Sequence, residues 1–366
     1  MSTKQQSQKP PTALTFPAPL YAALSPHSFL QAHLSTSTSE KRKKTSPLRA
    51  NGRSPTEFRT PGINTGSLTH CNGSAVVRIG NTAVVCGVRA EILSTEGDGE
   101  EIDESEEGAE DGEERDDIEQ LGLLVPNVEL STGSTPQYLP GNAPSQFAQT
   151  LVTRLRNLLL STRVVRSRDL RILYAPPAIG EETESAPRKV AKAHWTLYID
   201  TLFISLDGPG SAFDAAFVAI LAALKNTKLP RAYWDEEAEC VLCEDDPAQV
   251  QRLNLRGLPV PCSFGVLEGE ERDDIVTGEE EESQKGWILS DPDAFEDSVC
   301  VEGICIVVDG SAAKGVKKGV NSDVLRKIEK SGGGSAGLVD REAVKMLVGR
   351  SLERWEEVRG VLERAG

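Results

Sequence analysis

The segment Leu206 to Ala216, LDGPGSAFDAA, contains the residue types from which proteins build phosphate-binding loops. Its glycines and proline connect an apolar segment to an alanine-rich one. Ser211 lies three residues before Asp214, a spacing typical of a helix capping box. The free N–H groups at the start of a helix, together with the helix dipole, attract anions. The segment holds no cationic side chain to complete such a site, so we interpret the loop as a turn.

Other motifs that could support chemistry are few. The four histidines include no HxxxH pair, and Cys240 and Cys243 have zinc-knuckle spacing without a second cysteine pair at a fitting distance. We interpret the seven cysteines as small buried hydrophobic residues. A Gly332-x-Gly334-x-x-Gly337 pattern precedes a helix. A dinucleotide-binding fingerprint needs a strand directly before it, and we interpret the preceding RKIEK as part of a linker.

The acidic residues are unevenly distributed along the 366-residue chain. Residues 96–119 hold 15 of them and one arginine, so the formal net charge of −16 falls to about −2 without this segment. Such a self-repelling block predicts a disordered insertion at 94–119, and a second acidic loop is expected at 268–284. There is no run of 18 apolar residues and no signal-peptide pattern. We therefore expect a soluble intracellular protein that does not span a membrane.

Strands and helices must position any site. Alternating apolar residues around Gly80 and Asn81 predict a β-hairpin over 73–92. Leucines at three- and four-residue spacing predict a helix over 145–160, and the apolar segment after Ser211 predicts a buried helix. Another long helix is predicted at the end of the sequence. This helix covers 340–365. Strands are predicted at 121–130, 169–176, 193–206, 239–242, 262–267, 286–290 and 299–308.

This alternation predicts an α+β fold in three parts. Residues 1–46 are expected to form a disordered N-terminal arm with a brief helix at 29–34. A first subdomain is predicted over 47–230 and a second, ending in the long helix, over 231–366.

Three segments in order resemble the RNase PH family, which includes the ring subunits of the eukaryotic RNA exosome. They are the opening EFRTPGINTGSLTHCNGSAVVRIGNTAVVCGVRAEI at 57–92, LVPNVELS at 124–131, and the central strand and helix at 195–230. The resemblance implies an RNase PH-like fold of the ribosomal protein S5 domain 2-like βαβ type, with mixed sheets packed with helices.

The resemblance also implies what an active member needs and what this chain lacks. In phosphorolysis a cationic pocket holds the attacking phosphate, while acidic groups acting through a metal assist the leaving oxygen. Active members carry an arginine just before the helix that begins here at Ser145, but this chain has Pro144, which offers neither charge nor donor. They also carry closely spaced aspartates on the central strand. Asp200 and Asp207 remain, and Leu202 replaces an intervening acid. We therefore predict a chain that is not an enzyme, with no catalytic residue, metal or cofactor.

The same resemblance implies partners. RNase PH-type exosome subunits form a six-membered ring that threads single-stranded RNA through its pore. S1/KH-type subunits cap the ring, and associated 3′ exoribonucleases degrade the RNA. We expect a structural subunit that supports rRNA maturation and turnover of mRNA and noncoding RNA in the nucleus, nucleolus and cytoplasm. The candidates for RNA-backbone contacts, each equally able to bond a neighbouring subunit, are Arg78, Arg89, Arg154, Arg156 and Arg163.

Two alternatives stay open at this point. The chain could be a phosphorolytic 3′→5′ exoribonuclease, alone or as half of a composite site shared with a neighbour. It could also be a scaffold that contacts no RNA.

Overall fold

A computed structural model describes residues 16–35, 47–94, 100–102, 117–139, 141, 143–175, 189–269, 286–311, 324–333 and 339–366. Here two sheets enclose one buried helix, which confirms the expected α+β class. The helices are α1 (Ala18–Leu24), α2 (Pro26–Ser35), α3 (Asp117–Gln120), α4 (Gln146–Thr162), α5 (Pro209–Asn226), α6 (Ala294–Val299) and α7 (Arg341–Ala365).

The described residues form fifteen strands, and seven of them make up the larger sheet. The strands of the protein are β1 (Pro61–Thr65), β2 (Gly73–Ile79), β3 (Thr82–Ser94), β4 (Glu100–Ile102), β5 (Leu124–Leu130), β6 (Arg171–Tyr174), β7 (Lys189–Ser205), β8 (Lys228–Leu229), β9 (Ala232–Asp235), β10 (Cys240–Cys243), β11 (Gln251–Arg252), β12 (Val260–Glu268), β13 (Gly286–Ser290), β14 (Glu302–Val308) and β15 (Leu325–Gly332). In the larger sheet the strand order is β1-β2-β3-β7-β4, and β5 and β6 also pair with the long strand β7, in parallel and antiparallel directions respectively. The predicted hairpin is confirmed as β2 and β3.

Helix α5 lies between this sheet and a second, four-stranded one. The second sheet is antiparallel, in the order β13-β12-β14-β15. Every residue of α5 from Ser211 to Leu224 is buried, which confirms the prediction of a helix that is apolar on nearly all sides. This helix packs against β2 and β3 of the larger sheet and against β12 of the second sheet.

Two outer helices complete the core. α4 packs against β5, and Ser145 accepts a hydrogen bond from the Ala148 N–H at 3.2 Å, as the predicted helix start requires. α7 packs against β1, β12 and β14 and buries Leu347, Trp355 and Val358. None of the described helices is both long and apolar enough to cross a membrane.

The N-terminal arm is more ordered than the sequence suggests. Residues 16–35 form α1 and α2, and Leu30 and Leu34 of α2 are buried against Leu267 and Leu289 of the second sheet. The brief helix is confirmed. The expectation of a disordered arm over 1–46 is wrong for these residues, because the two α2 leucines cover apolar side chains of β12 and β13.

Both ends of the first acidic insertion are structured as well. β4 pairs with residues 189–191 of β7. In α3, Asp117 is buried, lies 2.5 Å from the Arg171 guanidinium and accepts a hydrogen bond from the Ser167 hydroxyl at 2.7 Å. The expectation of disorder over 94–119 is therefore wrong at 100–102 and in α3. Residues 103–116 and, in the second acidic loop, 270–285 lie outside the described residues.

The linker expected before the C-terminal helix contains a strand. β15 includes the RKIEK residues and pairs antiparallel with β14, so the interpretation of this stretch as non-strand is wrong. Its alternating charged residues are typical of a sheet edge. Because β15 is antiparallel rather than part of a parallel βαβ unit, the glycine pattern after it still lacks the setting of a dinucleotide fingerprint.

Residues 228–252 separate the two sheets along the chain. They form two small pairs, β8 with β11 and β9 with β10. The predicted subdomain boundary between 230 and 231 falls in this stretch and stays a prediction. Cys240 and Cys243 are both exposed on β10 with free thiols.

Candidate functional site at the start of the central helix

The Gly-Pro-Gly-Ser loop presses the start of α5 against the start of α6. Gly208, the residue before α5, has φ +87°, and a Cβ there would lie 3.2 Å from the backbone N and Cα of Ala294. The left-handed backbone and the close approach both require glycine. Pro209 opens the helix, where its missing N–H costs no hydrogen bond.

The predicted capping box between Ser211 and Asp214 is wrong. The helix begins at Pro209, so both side chains lie inside it and are buried. The Ser211 hydroxyl lies 2.9 Å from the Thr82 hydroxyl. Asp214 instead accepts hydrogen bonds from the Ser263 N–H at 2.8 Å and the Ser263 hydroxyl at 2.9 Å. Burial raises the pKa of Asp214 to about 6, although the bonds from Ser263 act to lower it.

Asp207, one of the two aspartates retained around the central strand, is held by an arginine of the opening motif. The Arg59 guanidinium lies 2.7 Å from the Asp207 carboxylate and 2.6 Å from that of Asp291. Burial acts to raise the pKa of Asp291, but the bonds from Arg59 prevail and hold it below its usual value. Asp207 is thus part of a largely buried ion-pair cluster that joins the opening segment to the loop before α6.

A cavity of about 520 Å³ opens at the start of α5. The Asp297 carboxylate lines this cavity together with Gly210. Burial raises the pKa of Asp297, while the Gly210 N–H opposes that rise. Gly210 lies in the first turn of α5, whose N–H groups an anionic ligand would use. A carboxylate of the chain itself therefore stands where a phosphate would bind.

The cationic side chains among the described residues lining this cavity are Arg154 and Lys330, and both are ion-paired. Arg154 donates to the Glu329 carboxylate at 2.8 and 3.0 Å, and its guanidinium lies 4.0 Å from the centre of the Phe213 ring. Lys330 lies 3.0 Å from the Glu302 carboxylate. A phosphate entering the cavity would compete with three carboxylates for two cations and one backbone donor.

The other positions expected near a phosphate site do not complete one. Pro144 is exposed just before α4, the helix that places Thr150 and Arg154 on the cavity wall. Asp200 lies on the exposed face of β7 and accepts a hydrogen bond from the Asn127 amide at 3.2 Å. The structure gives Asp200 no partner in common with Asp207 among the residues it describes. No three His, Cys, Asp or Glu side chains in the described ranges form a metal cluster.

The five arginines predicted to contact RNA lie on two separate parts of the molecule. Arg78 on β2 and Arg89 on β3 are on the exposed face of the larger sheet, and Arg89 lies 3.4 Å from Glu91. The other three are on α4 or at its end. Arg154 is ion-paired and Arg156 is exposed, whereas Arg163 has a left-handed backbone with φ 47°. The structure does not gather the five into one patch, and their contacts with RNA stay a prediction.

The exposed face of the larger sheet carries a row of apolar side chains. Tyr198, Leu202 and Ile204 on β7 and Val125 on β5 are each between 37% and 49% exposed. Val125 and Tyr198 are register partners. We call these four residues the exposed sheet face. Asp200 lies between Tyr198 and Leu202 on the same face, so a carboxylate interrupts the apolar residues.

A comparison with known families decides what kind of domain this is. Residues 57–230 match the RNase PH family, described as the 3′ exoribonuclease family, domain 1. Residues 57–230 are an RNase PH domain. The family expected from the sequence is therefore confirmed, and with it the fold. The domain extends from the opening segment that holds Arg59 to the end of α5, so it contributes the α5 side of the candidate site, whereas Asp297, Glu329 and Lys330 lie outside it.

Relatives of the RNase PH domain include named exosome components. The fission-yeast (Schizosaccharomyces pombe) protein Exosome complex component rrp43 is 34% identical over 196 residues, which cover 54% of this chain and 58% of that protein. The archaeal Exosome complex component Rrp42 of Thermococcus gammatolerans is 25% identical over 317 residues, covering 87% of this chain and 90% of the relative. The sequence motifs most resemble ribosomal RNA-processing protein 43, and the S. pombe relative is named Exosome complex component rrp43.

Solved structures show the same fold. A chain of the Archaeoglobus fulgidus exosome with RNA bound to the active site superposes with a TM-score of 0.56 at 22% identity. The superposition covers 91% of this chain and 96% of that one. A chain of an archaeal exosome core gives a TM-score of 0.50, also at 22% identity.

Sequence reasoning missed the residues that close the site. Asp297 is 87 positions from Gly210, and Glu329 lies in the stretch interpreted as a linker. The available signal was the high density of charged residues in RKIEK, which is typical of an edge strand.

Proposed function

We propose that this chain is a structural, non-catalytic subunit of an RNA exosome core ring. In this role it helps to guide single-stranded RNA through the pore to associated 3′ exoribonucleases, in the nucleus, nucleolus and cytoplasm. Its neighbours in the ring are other RNase PH-type subunits, and S1/KH-type subunits cap the ring. The names of the two relatives described above, both exosome components, support the assembly.

The observation that carries the non-catalytic part is the Asp297 carboxylate, which lines the same cavity as Gly210 in the first turn of α5. A phosphorolytic enzyme must hold inorganic phosphate beside the RNA, and the start of α5 is the candidate place for it. Here a carboxylate of the chain already lies in the cavity beside that first turn. The two nearby cations are paired with Glu329 and Glu302. Like charges at short range in a partly buried cavity repel strongly, so phosphate binding is disfavoured.

The exposed sheet face supports association with a neighbour. Subunits of obligate assemblies bury large apolar surfaces, which face water when a subunit is alone. A row formed by Tyr198, Leu202, Ile204 and Val125 on a rigid sheet provides such a surface. RNA contacts of a ring subunit would be to the backbone and therefore sensitive to salt.

Co-expression with an RNase PH-type ring subunit, followed by analytical ultracentrifugation, tests the assembly. Expressed alone, the chain should self-associate, whereas with its neighbour it should form a stoichiometric heterodimer that persists at high salt, because apolar burial is not screened. The Leu202→Glu/Ile204→Glu variant should lose that heterodimer.

The matched control is Leu24→Glu, which alters an equally apolar residue that is 63% exposed on α1. It should behave as the unmodified chain does. A monodisperse monomer that binds no RNase PH-type partner would refute the ring proposal. A heterodimer that persists in the double variant would show that the interface lies elsewhere.

A further inference from the structure

A second cavity, of about 470 Å³, lies at the other end of α5. The end of α5, the β8–β11 pair and the last turns of α7 surround it. We call it the basic pocket, defined by the four cationic residues that line it, Lys225, Lys228, Arg252 and Arg359. Its volume is within the range of pockets that bind small ligands or a few side chains, roughly 300–1,000 Å³.

The floor of the basic pocket is apolar. Leu253, Trp355 and Leu362 are buried there, and Leu255 and Leu258 are partly exposed. The Trp355 indole N–H donates to the Leu258 carbonyl at 2.7 Å, which fixes the ring in place. An apolar side chain entering the pocket would therefore meet a preformed hydrophobic surface.

Two of the cations face each other across a strand pair. Lys228 and Arg252 are register partners in β8 and β11, so their side chains lie on the same side of the pair. Both are exposed, and neither has a carboxylate partner among the residues that the structure describes. Like charges directly opposite one another are destabilising, so this arrangement costs stability unless an anion lies between them.

The remaining charges of the pocket are already engaged. The Lys225 ammonium lies 3.5 Å from the Leu362 carbonyl oxygen. Arg359 lies 3.6 Å from Glu363 and 5.0 Å from the centre of the Trp355 ring. Glu363 is the one acidic side chain among the described lining residues. The free positive charge is therefore concentrated at Lys228 and Arg252, at the mouth of an apolar cavity.

We propose that the basic pocket binds an acidic segment of a partner protein. An aliphatic side chain of that segment would lie on Leu255 and Leu258, the partly exposed leucines of the pocket, and flanking carboxylates would bond Lys228 and Arg252. A protein segment fits better than RNA, because Trp355 is only 4% exposed and offers no free ring on which a base could stack. This inference does not depend on the proposed ring function, since it concerns the opposite end of α5.

An array of synthetic heptapeptides tests the proposal against the full-length chain, alone or co-expressed with its ring neighbour. One set carries Asp and Glu around a central Ile, Leu or Val, and two further sets carry Lys or Ser at the flanking positions. The acidic set should bind and the other two should not. The Lys228→Glu/Arg252→Glu variant should weaken binding of the acidic set by about tenfold or more, since each charged hydrogen bond contributes on the order of a kcal/mol.

The matched control is Arg341→Glu/Lys345→Glu, the same change in charge on exposed residues of α7 outside the pocket. It should leave peptide binding unchanged within about twofold. A Lys228→Gln/Arg252→Gln variant guards against misfolding of the charge-reversed chain and should also lose binding. Equal binding of the three peptide sets would overturn the proposal, as would binding that survives both pocket variants. So would an oligouridine that binds through Lys228 and Arg252 while acidic peptides do not.

Discussion

The two ends of helix α5 are in opposite electrostatic situations. At its start, the described cations Arg59, Arg154 and Lys330 are each paired with a carboxylate of the chain, and Asp297 lines the same cavity as Gly210. At its end, about 27 Å away for an 18-residue helix, Lys228 and Arg252 face each other without a carboxylate partner among the described residues. One end is internally neutralised, and the other has unpaired positive charge.

The difference shows that the capacity to bind an anion depends on whether the nearby cations are already paired, rather than on a sequence motif or on the net charge of the chain. The start of α5 has the loop shape of a phosphate site but is closed by its own side chains. The end of α5 has no recognisable motif but has free cations over an apolar floor. In a chain with a formal net charge of −16, the available positive charge is thus found away from the motif that first suggests an anion site.

Breaking the paired end should have the largest effect. Arg59→Met leaves the mostly buried carboxylates of Asp207 and Asp291 without their cation and should cost about 3–5 kcal/mol in the free energy of unfolding. Urea denaturation at submicromolar concentration measures it. Arg156→Met, at an exposed position, should cost less than about 0.5 kcal/mol. A loss below about 1 kcal/mol for Arg59→Met would contradict the cluster's role.

The pH dependence of stability gives a second test of the charged groups near the start of α5. Because burial raises the pKa of Asp214 to about 6 from 3.8, the folded chain binds this proton more tightly than the unfolded chain. The stability that this group contributes is therefore present at low pH and is lost as the pH rises from about 4 to about 6. The loss amounts to about 1–3 kcal/mol.

Asp214→Asn cannot ionise and should lack that slope. Urea denaturation at about pH 4 and about pH 7 should show the unmodified chain losing more stability between the two than the variant does. Parallel pH profiles for the two proteins would mean that Asp214 does not have a raised pKa.

Removing a cation from the end of α5 should raise the free energy of unfolding rather than lower it. Lys228→Gln relieves the repulsion with Arg252 and should raise the free energy of unfolding by about 0.2–0.5 kcal/mol, a gain that added salt diminishes. Lys345→Gln on the exposed side of α7 should change nothing measurable. Destabilisation by Lys228→Gln would show that the cation has a partner in the folded chain.

The smallest effect is expected from the acidic insertion. Replacing residues 103–116 with a short Gly/Ser linker should leave both the melting temperature and association nearly unchanged. The charge environment at each end of α5 depends on the side chains next to it, and salt screens charges farther away. A deletion of 96–119 should be costly instead, since it removes β4 and the buried Asp117–Arg171 ion pair. Equal melting temperatures for the two deletions would contradict this contrast.

Local sequence patterns account for most of the fold. The β2–β3 hairpin, α4 with its Ser145 cap, and the buried α5 each follow from periodicity within a short segment. The RNase PH resemblance likewise rests on consecutive residues. Local patterns failed at β15, where charged residues alternate along a sheet edge, and at α2, where Leu30 and Leu34 pack against strands more than 200 positions away.

The candidate site depended on pairs distant in sequence. Arg59 with Asp207 and Asp291, Gly210 with Asp297, and Arg154 with Glu329 each join segments that only the fold brings together. Sequence reasoning recognised that the loop lacked a cation. It could not show that a carboxylate had taken the anion's place, because no local pattern relates α5 to α6.

The most direct test of the central claim is an assay for phosphate-dependent RNA degradation. The purified chain, alone and with its ring neighbour, is incubated with single-stranded RNA bearing a free 3′ end, inorganic phosphate and Mg²⁺, and nucleoside diphosphates are measured. The control is Asp200→Ala, which changes an exposed carboxylate and leaves the Arg59 cluster intact. The account predicts no release from the chain alone, and no release with the neighbour that Asp200→Ala reduces. Release by the chain alone that Asp200→Ala abolishes would contradict it.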